Sequence, residues 1–409
     1  MRKQLLASLI IIFFLALGTV LIILYGRGYR LSFNQGKPDL AKTGILAAKS
    51  FPEGASIFIN NQLTAATNQN LNLAPGEYMV KIVKEGYFSW EKKLRVQEEV
   101  VTPATALLFP TTPKLEGLTS NGATDPILDP LHTKLAYKVA SSSALKKNGI
   151  YILDLAANPV LFLQSPARQI VDDTTDTFSL AQIAWAPDGR ELIATIPATL
   201  SRAESTYLLD ATQMNEAPRN ITAVLPTYTA TWTKDKTERD SARMGGLKPK
   251  LQQMINQNFT ILSWAPDDIK ILYKAKTSTD LPLIIKPRLI GINNINEARK
   301  IEKDAIYVYD IKEDVNIKIV DELTVSCLDT LLQTCRYPLT WFSDANHLIY
   351  VNDKRIDIME YDGTNKTTVY AGPFEEHFVF PWPNGSKLVI VTNLNNPNIL
   401  PNLYTIGLK

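Results

Sequence analysis

Apolar positions along the chain fall into three regimes. From Leu5 to Leu24 the run LLASLIIIFFLALGTVLIIL carries no charge for 20 residues. In a helix rising about 1.5 Å per residue, such a run spans roughly 30 Å, the thickness of a bilayer core. From Gly44 to about Pro110 the apolar residues alternate with polar ones instead. Ala55, Ile57 and Ile59 share one strand face, Tyr78, Val80 and Ile82 another. Trp90, Leu94 and Val96 oppose Glu91, Lys93 and Arg95. Period-2 alternation of this kind predicts half-buried strands. The runs are parted by Asn60-Asn61, Ala74-Pro75-Gly76 and Glu85-Gly86, which suit tight turns. No segment here has a helical period, so a small sandwich of short antiparallel strands is expected.

The third regime is a repeat. A strand–turn–strand cluster recurs from Ile127, Ile183, Leu262, Leu339 and Phe380, aligned on Pro130, Pro187, Pro266, Ser343 and Pro383. Each has an apolar residue five places on: Leu135, Leu192, Ile271, Leu348 and Leu388. A third strand follows each cluster, beginning near Ile150, Thr206, Ile306, Arg355 and Leu403. Weaker fourth strands are read at Val160–Leu163, Val315–Val320 and Thr367–Tyr370. Four strands per unit make the blade of a β-propeller. Five blades are expected, six being the alternative. The aligned positions lie 57, 79, 77 and 40 residues apart. The excess places insertions near 222–259 and 276–304, the first holding a charged stretch, Lys234 to Asp240, and a short helix, Leu251 to Gln257. The chain stops after the third strand of the fifth unit, so the segment around Lys114 to Leu118 is expected to supply its missing outer strand.

The expected organisation is a short N-terminus and transmembrane helix over 1–25, a juxtamembrane linker over 26–43, the sandwich over 44–110 and the propeller over 111–409. The fold class is all-β apart from the helix. A cleaved signal peptide would have a shorter apolar region and a small-residue cleavage site, and no such site follows Leu24. A retained single-pass anchor is therefore expected. Arg2 and Lys3 precede the span and Arg27 and Arg30 follow it, so charge hardly sets orientation. A short cytoplasmic N-terminus, with the bulk of the chain extracytoplasmic, is the expectation.

Two resemblances are carried by these motifs. Pro52-Glu53-Gly54-Ala55, then SIFINNQL, the L-x-PGEY run from Leu73 to Tyr78 and EGY-x-x-W from Glu85 to Trp90 closely resemble the PEGA domain. The resemblance implies a β-sandwich of prokaryotic envelope and surface proteins with no catalytic residue. One departure is Asn60-Asn61, where the family usually carries Asp-Gly. The hairpins Trp185-Ala-Pro-Asp188-Gly189 and Trp264-Ala-Pro-Asp267, and more loosely Trp341-Phe-Ser-Asp344, look like TolB-type repeats, a WD40-like propeller pattern. Leu128 stands where the first unit would carry Trp, and Trp382 is displaced by one. These residues are expected to pack blades rather than stack ligands.

Composition narrows the function. Lys plus Arg number 43 and Asp plus Glu 41, a net charge of +2, which lacks the basic excess of a nucleic-acid binder. The sequence has no G-x-S-x-G elbow, no H-E-x-x-H and no phosphate-binding G-x-x-x-x-G-K-[ST]. His132 and His347 fall in hairpin turns and read as surface residues. His377 follows Glu375 and Glu376 in a loop. Asp172, Asp173 and Asp176 cluster without EF-hand spacing and read as a solvated loop. No cofactor, metal or catalysis is expected. Cys327 and Cys335, the only cysteines, flank LDTLLQT. In an extracytoplasmic domain they suggest a local disulfide, with two reduced thiols as the alternative. The function expected is a membrane-anchored envelope protein. Its sandwich acts as a spacer or wall contact, and its propeller binds a protein or a cell-wall polymer, the insertions being candidate contact surfaces. The alternatives are a propeller enzyme acting on glycans and a cytoplasmic-facing scaffold.

Overall fold

The computed structural model describes the backbone of residues 2–26, 29–34, 37–140, 144–156, 167–288, 297–323, 326–327 and 335–409. Side chains are described for these residues except 2–9, 24–25, 29–34, 37–42, 326–327 and 335–336. The chain divides into two compact units, Met1–Thr111 with Ile285–Ile295, and Thr112–Ile284 with Asn296–Lys409.

In the first unit, helix α1 (Arg2–Gly26) contains the whole uncharged run. Its described side chains, from Ile10 to Ile23, are largely exposed. Among the described residues no helix is long and apolar enough to cross a membrane. Where the sequence reads as a linker, the backbone instead makes a two-stranded hairpin, Tyr29–Asn34 with Lys37–Lys42.

The sandwich then packs a three-stranded sheet (Gln69–Leu73, Gly44–Phe51, Val101–Leu107) on a four-stranded one (Gln62–Ala66, Ser56–Ile59, Gly76–Val83, Trp90–Val96). Its core holds Leu46, Ile57, Val80, Ile82, Trp90 and Leu94. Asn60 and Asn61 both take left-handed φ values, 49° and 66°, as a tight hairpin turn requires. One pairing departs from the antiparallel expectation. Gly44–Phe51 and Val101–Leu107 run parallel, from Ile45↔Val101 to Phe51↔Leu107. The last strand re-enters the sheet after the chain has crossed the sandwich and returned, so it arrives in the direction of the first.

In the second unit, five four-stranded antiparallel sheets form the propeller. Sheet 1 comprises Thr124–Leu128, Lys134–Val139, Gly149–Asp154 and Ala167–Asp172. Sheet 2 comprises Gln182–Trp185, Glu191–Ile196, Ser205–Asp210 and the stunted Arg219–Asn220. Sheet 3 comprises Phe259–Trp264, Lys270–Ala275, Ile306–Asp310 and Val315–Val320. Sheet 4 comprises Leu339–Trp341, His347–Asn352, Arg355–Glu360 and Thr367–Tyr370. Sheet 5 has Val379–Pro381, Lys387–Thr392 and Asn402–Gly407, and its outer strand is Leu115–Gly117 from the other end of the chain. The fourth strand of sheet 1 is a correction: it is Ala167–Asp172, whereas Val160–Leu163 lies outside the described residues.

Neighbouring sheets share apolar cores. Ile152 and Ala136 of sheet 1 meet Trp185, Leu192 and Leu209 of sheet 2. Leu135 and Leu153 of sheet 1 meet Val389 and Leu403 of sheet 5. Leu272 and Val308 of sheet 3 meet Leu339, Trp341 and Leu348 of sheet 4. Between sheets 2 and 3 the arrangement differs. The first insertion forms two helices, α2 (Leu225–Gly245) and α3 (Pro249–Asn258). Ile193 of sheet 2 packs on Trp232 of α2, with Leu225 and Tyr228 beside it. Ile271, Tyr273 and Tyr309 of sheet 3 pack on Leu251, Met254 and Ile255 of α3. The faces that would meet each other are thus covered by a helical hairpin, which stands as a wedge in the ring. The sequence reading placed α3 but missed α2, because 21 residues bury only Trp232 and so carry no apolar period.

Candidate functional site

The five inner hairpin turns are built alike. Asp188 accepts from the Arg190 amide at 3.0 Å and Asp267 from the Ile269 amide at 3.0 Å. Asp344 accepts from the amides of Asn346 (2.9 Å) and His347 (3.0 Å), and Asn384 accepts from the Ser386 amide at 2.9 Å. In sheet 1 the role passes to Asp129, buried, which takes the amides of Thr133 (2.6 Å) and Lys134 (2.7 Å). A short carboxylate or amide oxygen replaces the backbone acceptor the turn lacks, which is why Asp and Asn recur there.

The turns also latch one sheet to the next. Trp185 Nε1 donates to the Ile127 carbonyl of sheet 1 at 3.0 Å. Lys134 Nζ donates to the Gly189 carbonyl at 3.2 Å, and Ser343 Oγ to the Trp382 carbonyl at 2.6 Å. Gly189 sits at φ +68°, and a Cβ there would stand 3.0 Å from Asp129 Oδ2, so this turn needs glycine. In sheet 5, Pro381 pairs with Leu388 where Trp185 pairs with Leu192, which places Trp382 one position late, as the motif indicates.

The turns of sheets 1, 3, 4 and 5 converge on the channel mouth. A cavity of about 690 Å³ opens there, walled by sheets 1, 3, 4 and 5 through Leu131, His132, Trp264, Pro266, Trp341 and Pro383. The remaining wall is the C-terminal half of α2, with Asp240, Arg243 and Met244. Arg243 lies over the Trp264 ring, 6.0 Å from its centroid, and its Nε is 3.2 Å from an Asp268 carboxylate oxygen. Trp341 is almost wholly buried, yet its indole N–H has no hydrogen-bond partner among the described residues. Trp185 is buried between sheets, whereas Trp264 and Trp382 are half-buried.

A second cavity, about 490 Å³, separates the N-terminal half of α2 from the turn of sheet 2, with Pro187, Asp188, Thr227, Tyr228 and Trp232 in its walls.

Several sequence candidates sit differently from expectation. His347 is buried rather than a surface residue, with Nδ1 2.7 Å from Asp344 Oδ2. Burial pushes the Asp344 carboxyl up. The hydrogen bond and charge of His347 and the two turn amides outweigh this and hold it below the usual carboxylate range. His132 is a turn residue at φ 58°. Asp173 and Asp176 are buried and not solvated. Asp173 takes the Ser179 amide (2.9 Å) and hydroxyl (2.6 Å), while Asp176 takes Arg202 and the Tyr207 hydroxyl (2.9 Å). His377 is exposed. No group of three or more potential metal ligands occurs among the described residues. The second insertion folds back on sheet 3. Leu281 and Ile301 enter its core, and Arg299 pairs with Glu297 (2.6 Å) and Asp314 (3.0 Å). Cys327 and Cys335 are direct partners in a short antiparallel pair, and their side chains lie outside those described.

The Pro52–Ala55 signature is the crossover between the two sandwich sheets. Ser50 Oγ donates to the Pro52 carbonyl at 2.7 Å, Gly54 takes φ +74°, and the Ala55 amide donates to Thr67 Oγ1 at 3.0 Å. Lys84 Nζ donates to the Glu53 carbonyl at 2.8 Å. All four residues shape backbone.

Comparison with known proteins identifies the sandwich. Residues 43–110 match the PEGA domain. The chain is similar to a TolB protein of Agrobacterium tumefaciens, at 15% identity, with 71% of this chain and 74% of that one covered and a TM-score of 0.22. It is similar to TolB from Acinetobacter baumannii at 12% identity, over 81% of this chain and 59% of that one, TM-score 0.22. An oligogalacturonate lyase in complex with manganese is similar at 11% identity, over 84% and 81%, TM-score 0.21. Chain-wide superposition is low in each case, so the propeller rests on the sheet order and register given above. No curated protein matches the chain.

Proposed function

We propose that this protein is a membrane-anchored envelope component whose propeller binds a segment of a partner protein at the channel mouth. The observation that carries the reading is the mouth itself, a cavity of about 690 Å³ on which four sheets and α2 converge. Loops gathered on a rigid scaffold are where binding residues concentrate. The wall combines the Trp264 and Trp341 rings and several prolines with the charged Lys236, Asp240, Arg243 and Asp268, a mixed surface suited to an extended peptide. Its carboxylates Asp240 and Asp268 both face Arg243, at 4.0 and 3.2 Å, which favours binding over hydrolytic chemistry. The PEGA domain, in this reading, spaces the propeller from the membrane.

Anchoring is supported by the 25 residues of α1 and its uncharged run, with exposed apolar side chains along the described part. In this reading the bulk of the chain lies outside the cell. The test is a photo-crosslinking residue at Leu131, exposed in the mouth, in the full chain in intact cells. A discrete protein adduct is expected there and not from the same residue at Phe88 of the sandwich, and equal labelling at both overturns the reading. Protease shaving of a C-terminal tag on spheroplasts tests the orientation.

A further inference from the structure

We infer that α2 is a detachable wedge that closes the channel mouth and is released by local unfolding of its own residues, leaving α3 and the five sheets in place. The inference rests on the reading of the mouth as the binding face.

The two helices of the insertion are held very differently. In α3, ten residues bury Leu251, Met254 and Ile255 in the aromatic core of sheet 3. There Phe259 stacks on Tyr273 with ring centroids 3.5 Å apart. In α2, 21 residues bury Trp232 alone. Its composition adds little helical stability. Thr227, Thr229, Thr231, Thr233 and Thr237 are β-branched, and four of them turn their hydroxyls back onto carbonyls of the preceding turn. No side chain caps its N-terminus. Isolated helices of this length and composition are marginal in water.

Leu225, Tyr228 and Met244 add only partly buried contacts, and the polar tethers are exposed. Arg239 donates to the Pro187 carbonyl at 2.5 Å, and the Arg243–Asp268 pair has both side chains about half exposed. Exposed pairs of this kind contribute little. The contact between α2 and sheet 2 is also incomplete, because the 490 Å³ cavity runs along it beside Trp232.

Both ends of α2 stay tied, to sheet 2 through buried Ile221 and to sheet 3 through α3, so release means melting in place. Gly245 closes α2 and Gly246 follows before Pro249 starts α3, and glycine, a poor helix former, weakens this end further. Melting of α2 releases Asp240, Arg243 and Met244 from the mouth and takes Arg243 off the Trp264 ring. A partner segment that binds the open mouth therefore displaces α2, and its apparent affinity falls with the fraction of chains in which α2 is closed.

Hydrogen exchange on the full chain tests the wedge. Amides of α2 are expected to exchange at least 100-fold faster than those of α3 and of Lys270–Ala275, with Trp232→Ala accelerating α2 a further tenfold or more and leaving α3 unchanged. Arg243→Ala is the milder variant should Trp232→Ala disturb the sheets. The Leu131 crosslink is expected to rise at least threefold in either variant. Exchange of α2 as slow as that of α3 overturns the inference, and so does an adduct yield unchanged in both variants. Fast exchange of α2 with no adduct in any variant leaves the wedge standing and defeats the reading of the mouth.

Discussion

Trp185 of sheet 2 donates its indole N–H to the Ile127 carbonyl of sheet 1 at 3.0 Å, a latch across the blade interface. The equivalent donor in sheet 4, Trp341 Nε1, is buried without an acceptor among the described residues. The same motif therefore carries a satisfied donor in one place and an orphan in another.

Replacing each ring with phenylalanine separates the two. Both changes remove the same atoms, so the packing losses are similar. Trp185→Phe also removes a hydrogen bond that the fold makes, whereas Trp341→Phe removes a buried donor with no acceptor among the described residues. Trp185→Phe is expected to destabilise the propeller by about 1–3 kcal/mol more than Trp341→Phe. Urea unfolding, followed through the propeller transition, checks this. Equal losses would show that the Trp185 latch contributes nothing.

Ring closure depends on a few polar contacts. Asn402 is buried, and its Oδ1 accepts from Thr119 Oγ1 at 3.0 Å and from the Gly122 amide at 2.9 Å. Asn402→Ala leaves both donors without this acceptor and is expected to cost about 2–3 kcal/mol. The loss should be local first, with hydrogen exchange rising in Leu115–Gly117 before it rises in sheets 1 to 4. A uniform rise across the ring would contradict closure as the weak point.

Cys327 and Cys335 face each other across an antiparallel pair. Directly opposed residues in such a ladder lie within the Cα separation a disulfide spans. In protein isolated from the extracytoplasmic side, the two thiols should resist alkylation until reduced, and non-reducing peptide maps should show them joined. Cys327→Ser is then expected to cost about 2–3 kcal/mol for so short a loop. Two freely alkylated cysteines in freshly isolated protein would argue against both the disulfide and the extracytoplasmic placement.

The depressed Asp344 carboxyl makes the sheet 4 turn sensitive to acid. A carboxyl held below its unfolded value stabilises the fold at pH values above the unfolded pKa. That contribution is lost as the pH falls from the ordinary carboxylate range through the depressed value. Asp344→Asn should therefore lower the melting temperature at pH 7 and lose less on going to pH 3 than the native chain does. Parallel melting curves for the two across that range would refute the coupling of Asp344 to His347.

Much of the architecture was legible because it rests on local periodicity. Alternation at Ile57, Ile59, Val80 and Ile82 and left-handed Asn60-Asn61 set the sandwich hairpins without reference to distant residues. The five turns announce themselves through Asp188, Asp267 and Asp344, whose carboxylates satisfy amides two or three residues away. Even ring closure could be anticipated, since the fifth unit reads with three strands and the segment just before the first repeat, near Leu115, supplies the fourth. The parallel pairing of Gly44–Phe51 with Val101–Leu107 could not, because it joins residues more than 50 apart and depends on the path between them. Nor could the buried role of His347, Asp173 and Asp176, which are polar residues enclosed by neighbours distant in the chain.

The candidate site was the least legible part. The sequence by itself determined the repeat, its turns and the apolar N-terminal run, because each is written in spacing along the chain. Only the tertiary structure decided that sheets 2 and 3 are parted by a helical wedge and that α2 walls the mouth. A helix that buries one residue in 21 leaves no periodic signal, and the cavity it bounds exists only where turns from four sheets meet.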